Sequence, residues 1–234
     1  MDQSSNDQSS DNAAVSSRRG FLRSSTVTGL LAAPLVGMLA GNARGVFDGD
    51  ADEATRRKAK IRQNFKSIQA HENTHVTFLK NTLGSAARPK PTFKNLLTNS
   101  YAEFVTLSQT FENTGVGAYL GAAPFIKLPA YLSAAGSILT VEARHAGFLN
   151  DTNEVVLTFA SQNGSGDPAF DKPLTDGQVR AGVAPFIASL NGGGPVDYAN
   201  LRSDNNDLRI LNFALALEYL EAEFYNINVP KFFP

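Results

Sequence analysis

The sequence predicts an all-α fold, an antiparallel four-helix bundle with a loop-rich connection that holds one short helix. Two observations predict it. Apolar residues recur at helical spacing in four long segments. Two of those segments carry a glutamate and a histidine three residues apart, Glu72/His75 and Glu142/His145, on the same face as the apolar residues.

The first helix is expected over 52–83, with Phe65, Ile68, His75, Val76 and Leu79 facing inward. Asp50 or Asp52 can cap its start, and Gly84 stands where a left-handed C-cap belongs. The second is expected over 100–120, stopping at Gly121 and Pro124. The third, over 129–150, begins at Pro129, a favourable first-turn residue. Its inward stripe reads Leu132, Ala135, Leu139, Glu142, His145 and Leu149. The fourth is expected over 207–226, with Pro230 beyond it and a stripe of Leu208, Leu211, Leu215, Glu218, Ala222 and Tyr225. The connector 151–206 is rich in glycine. It contains one short helix, Thr175 to Leu190, with a Thr175/Gln178 capping box and a Pro185 that bends or shortens it. Residues 155–159 read equally as a strand or as more of the third helix.

Composition narrows the chemistry. The 234 residues carry 21 basic and 22 acidic side chains, a net charge of −1, so no electrostatic footprint for nucleic acid exists. Cysteine is absent, which excludes disulfides, thiolate metal sites and a cysteine nucleophile. Any metal must be held by oxygen and imidazole ligands, a set suited to iron, manganese or zinc. Ahead of the helices, Ser17-Arg18-Arg19-Gly20-Phe21-Leu22-Arg23 looks like a twin-arginine export signal. A weakly apolar stretch, 26–40, follows it and is short for a membrane span. Cleavage near Gly41 or Ala43 would leave a leader of 1–43 and a mature domain of 44–234. The expected location is therefore periplasmic or secreted, with no stable span after cleavage; an uncleaved anchor is the alternative.

Glu-x-x-His places both side chains on one helix face, within reach of one ion. A two-metal bundle site needs this pair from two helices and a lone glutamate from each of the other two. Glu112 and Glu218 supply the lone carboxylates. The expected metal ligands are thus Glu72, His75, Glu112, Glu142, His145 and Glu218, holding two metal ions, iron or manganese. Tyr119 and Tyr225 follow Glu112 and Glu218 by seven residues, two helical turns, on the same faces. They are expected to hydrogen-bond ligand carboxylates from behind, or else to be ordinary core aromatics. His71 is expected behind the ligands or in solvent, Glu221 is ambiguous, and Glu223 should face away. Gly115 and Gly117 inside the second helix suggest a close approach beside Glu112.

The stretches Phe111-Glu112-Asn113-Thr114-Gly115-Val116-Gly117-Ala118-Tyr119, Val141-Glu142-Ala143-Arg144-His145-Ala146 and Leu217-Glu218-Tyr219-Leu220-Glu221-Ala222-Glu223-Phe224-Tyr225 resemble the ferritin-like domain family that includes desiccation-related proteins. The resemblance covers most of 50–230. It implies a ferritin-like bundle and the same six ligands. In the family the Leu-Glu-Tyr-Leu-Glu helix comes first, whereas here it comes last, so the resemblance implies a circular permutation. The displaced helix is expected to dock into its own chain's bundle; docking into a neighbour would make a helix-swapped homodimer. The expected function is a non-haem oxidoreductase of the catalase or peroxidase kind, whose partner is a small oxidant, peroxide or dioxygen. A non-enzymatic stress protein, binding metal or purely structural, is the competing expectation.

Overall fold

The structure, a computed structural model, describes residues 53–155 and 169–234. The expected caps Asp50 and Asp52, the leader 1–43 and most of the 155–159 segment lie outside those residues. Four long helices dominate: α1 (Glu53–Leu83), α2 (Tyr101–Ala122), α3 (Pro129–Thr152) and α5 (Asp204–Phe232), with the short α4 (Asp176–Val183) in the last connection. Two short strands, β1 (Thr92–Phe93) and β2 (Ile187–Ser189), pair antiparallel.

Cross-helix contacts give the arrangement. Asn226 meets Gln69 while Asn212 meets Ala86, so α5 runs antiparallel to α1. Tyr225 meets Glu112 while Glu218 meets Tyr119, so α5 is also antiparallel to α2. Residues 71 and 145, and then 65 and 148, pair α1 with α3 in the same sense. Each helix therefore lies between two antiparallel neighbours, in a square. The α2–α3 link is a tight turn through Ala123–Phe125. The other two links, 84–100 and 153–203, join parallel helices and must travel the bundle's length. The β1–β2 pairing ties these two crossovers together.

The ends are stitched differently. At one end Phe65, Phe104, Phe148, Phe232 and Phe233 pack ring on ring, with centroids such as Phe65–Phe104 4.8 Å and Phe104–Phe232 5.2 Å apart. At the other, the buried Asp207 carboxylate accepts from the backbone N–H of Lys127 (2.7 Å) and Leu128 (2.9 Å), capping the entry to α3. The last helix thus occupies its own chain's bundle.

Several expectations need correction. Gly121 does not end α2, which continues to Ala122. It lets the connector lie against the helix, since a Cβ there would sit 1.8 Å from the Leu174 carbonyl oxygen. Helix α4 stops at Val183 rather than Leu190; Pro185 enters a 3₁₀ turn and β2 follows. Its Thr175/Gln178 capping box is formed. Helix α5 is longer than 207–226 and includes Pro230, because Phe232 and Phe233 dock in the aromatic cluster and carry the last turn with them. Leu132 and Leu208, placed on inward stripes, are 38% and 37% exposed; both lie near the starts of their helices.

Candidate metal centre

Each long helix brings at least one acidic residue to the middle of the bundle. Glu72 and His75 project from α1, Glu112 from α2, Glu142 and His145 from α3, and Glu218 from α5; all six are buried. Helical spacing aligns each Glu–His pair, and the antiparallel square brings the four carboxylates together in the middle of the bundle.

Their atoms form two overlapping groups. Glu72, His75, Glu142 and Glu218 each offer a ligand atom within 4.8 Å of one another, and so do Glu72, Glu112, Glu142 and His145. Glu72 and Glu142 belong to both. His75 Nδ1 lies 3.2 Å from Glu72 Oε2, 3.3 Å from Glu142 Oε1 and 3.1 Å from Glu218 Oε2. His145 Nδ1 lies 3.1 Å from both Glu72 Oε1 and Glu112 Oε2. The Glu72 carboxylate therefore directs one oxygen into each group.

The tyrosines act across the helix pair rather than along it. Tyr119 on α2 donates to Glu218 Oε1 on α5 (2.5 Å), and Tyr225 on α5 donates to Glu112 Oε1 on α2 (2.6 Å). Two turns amount to about 10 Å of rise, too far for a phenol to reach the glutamate of its own helix, whereas the antiparallel neighbour presents one at the right height. Each phenol occupies Oε1 and leaves Oε2 facing the histidine Nδ1. Behind His145, its Nε2 lies 2.9 Å from His71 Nδ1. Burial, then the charges of His145 and His75, lower His71 to about 4, so His71 is neutral and is assigned as the acceptor. That assignment leaves His145 Nδ1 facing the carboxylates.

Three buried carboxylate oxygens, Glu72 Oε1 and both of Glu142, have no hydrogen-bond partner. Ring nitrogens come close, but one Nδ1–H cannot serve the three oxygens that crowd His75. Burial and the Glu112 charge push Glu72 up to about 7. Burial, then Glu72 and Glu112, push Glu142 well above the carboxylate range. Burial alone would lower the two histidines. The Glu112 charge and its hydrogen bond outweigh that for His145, which rises to about 11, and Glu218 does the same for His75. In return His75 overcomes the burial of Glu218 and holds it below its usual range. Four carboxylates and two imidazoles around two points are the donor set that two divalent cations would satisfy, and the cations would remove the crowding of like charges. The residues fit such a centre.

One acidic residue near the centre stands outside the six. Glu221 is buried, and burial together with the Glu142 charge pushes its carboxyl well above the usual range. Its spacing of three from Glu218 was the available signal. Gly115 explains the room: a Cβ there would lie 2.7 Å from Glu142 Oε2 and 3.3 Å from Glu221 Oε1. Glu223 faces outward and pairs with Lys90.

No curated protein and no solved structure matches the chain. The sequence profile of the ferritin-like domain matches residues 30–154 and 206–232, a span that takes in α1, α2, α3 and nearly all of α5. The helical bundle and the carboxylate–histidine groups at its centre agree with that match, and the chain belongs to the ferritin-like domain family.

Proposed function

We propose that this protein is an exported two-metal carboxylate oxidoreductase acting on peroxide or dioxygen. The observation that carries the reading is the pair of overlapping groups with Glu72 and Glu142 in common. Glu72 and Glu142 would be common to two ions, with Glu218 and His75 completing the set for one and Glu112 and His145 the set for the other. Two iron or manganese ions would supply the two electrons, one from each, that cleaving an oxygen–oxygen bond requires. The chain does the rest. Tyr119 and Tyr225 hold the outer oxygens of Glu218 and Glu112, and His71 holds the ring of His145. Leu, Phe and Ala side chains wall the centre and keep bulk water out.

Two histidines among six ligands favour peroxide removal over iron storage, and the leader 1–43 would deliver the loaded, folded chain to the periplasm or beyond. The helix order is read as a permutation of the desiccation-related arrangement; the lengthwise crossover before α5 is what such a permutation needs. The test is metal analysis after native export, followed by peroxide disproportionation by the pure protein. Two ions per chain with turnover is the expected result. Metal without turnover would move the protein to the non-enzymatic stress class, and no bound metal would end the reading.

A further inference from the structure

We propose that Glu221 is a seventh metal-binding side chain, a carboxylate ligand for the ion held by Glu112 and His145. The proposal rests on the two-ion reading above and deepens it.

Helices α2 and α5 carry the same pattern in the same roles. In α2 it reads Glu112, three residues to Gly115, four more to Tyr119; in α5 it reads Glu218, Glu221, Tyr225. The glutamates and tyrosines exchange reciprocal hydrogen bonds across the pair. The symmetry fails at the middle position alone, glycine on one helix and glutamate on the other. The failure is complementary, because Glu221 Oε1 and Glu142 Oε2 both press into the space that a Gly115 side chain would fill. A carboxylate 4% exposed thereby shares the hollow over Gly115 with an orphaned oxygen of Glu142. Two carboxylates at such a spot repel one another unless a proton or a cation neutralises them, and a cation would serve both at once.

Position along the helix selects the ion. Glu221 lies one turn, about 4.5 Å, beyond Glu218 in the direction of Tyr225. Tyr225 is the residue that reaches Glu112. The Glu112–His145 ion would gain an oxygen ligand that the Glu218–His75 ion lacks. An added hard ligand suits a cation preferring five or six donors, such as manganese or ferrous iron, over zinc, which settles at four. The two ions would then differ in coordination number and in affinity.

Glu221→Gln in the mature full-length chain tests this, by chelator competition with Mn(II) and by the visible spectrum of the Co(II)-loaded protein. Wild type is expected to bind two ions of unequal affinity. The variant should still bind two, with one weakened about 10–100-fold, the loss typical when support of a ligand set is removed. Its Co(II) absorption should strengthen as that ion drops in coordination number. Glu223→Gln, altering an outward carboxylate paired with Lys90, should change neither readout. If Glu221→Gln does not fold, Glu221→Asp takes its place: selective weakening of one ion supports the proposal and none overturns it. Unchanged affinities and spectrum in Glu221→Gln would make Glu221 a space-filling residue and sink the proposal. A wild type that binds no ion would instead sink the two-ion reading beneath it.

Discussion

Glu142→Leu should change the sign of its effect on stability with metal. Both Glu142 oxygens are buried without a hydrogen-bond partner, and they face the Glu72 and Glu112 charges. Relieving unpartnered burial is worth about 1–3 kcal/mol, and leucine fills a similar volume. His75 keeps Glu72 and Glu218 as neighbours, so little is lost in exchange. In chelator the variant should therefore melt higher, by about 2–4 °C per kcal/mol for a domain of this size. With metal the order should reverse. A thousandfold excess of an ion over its dissociation constant stabilises the folded state by about 4 kcal/mol, and the variant loses a ligand common to both ions. Thermal melts by circular dichroism, in chelator and in excess Mn(II), read both signs. A variant less stable than wild type in chelator would mean that Glu142 has a stabilising partner in the empty centre. A variant that gains as much from Mn(II) as wild type would remove Glu142 from the ligand set.

Tyr225→Phe removes a buried hydrogen bond to Glu112 and should cost about 1.5–3 kcal/mol, read by urea denaturation, and weaken one ion more than the other. Above pH 6.5, where the opposing contribution of His71, lowered to about 4, is complete, the stripped protein should lose stability as pH rises. Glu72 is raised to about 7, so between 4.5 and 7 the folded chain keeps a proton that the unfolded chain has released, and deprotonation weakens the fold. His145, raised to about 11, adds a loss of the same sign between 6.5 and 11. Metal binding must displace those protons, so affinity should climb with pH, with proton uptake by the buffer measurable in calorimetry. Asp207→Ala strips two backbone N–H groups of their acceptor at the α2–α3 turn and should cost about 1–3 kcal/mol for each left unsatisfied. Metal stoichiometry should not change, since Asp207 is remote from the centre in sequence and in register.

The candidate ligands were legible in the sequence because their signal is local. Glu72/His75 and Glu142/His145 declare themselves through a spacing of three, and the apolar periodicity around them declares helices. Gly115 advertised a close approach in the same way. What the residues approach was not written locally. Tyr119 and Tyr225 stand on the faces of their own glutamates, yet each bonds the glutamate of the other helix, because reach across an antiparallel pair depends on register between segments about a hundred residues apart. Pro230 and Gly121 are breakers by propensity, and both lie inside helices because the aromatic cluster and the Leu174 backbone impose the conformation. Glu221 has the spacing of a ligand and the surroundings to match, but only the hollow over Gly115 shows that its carboxylate turns inward. By itself the sequence determined which residues share a face, since helical geometry fixes that at short range. The tertiary structure alone decided which faces meet, at what height and with which oxygen pointing where, because those follow from long-range packing that no local pattern encodes.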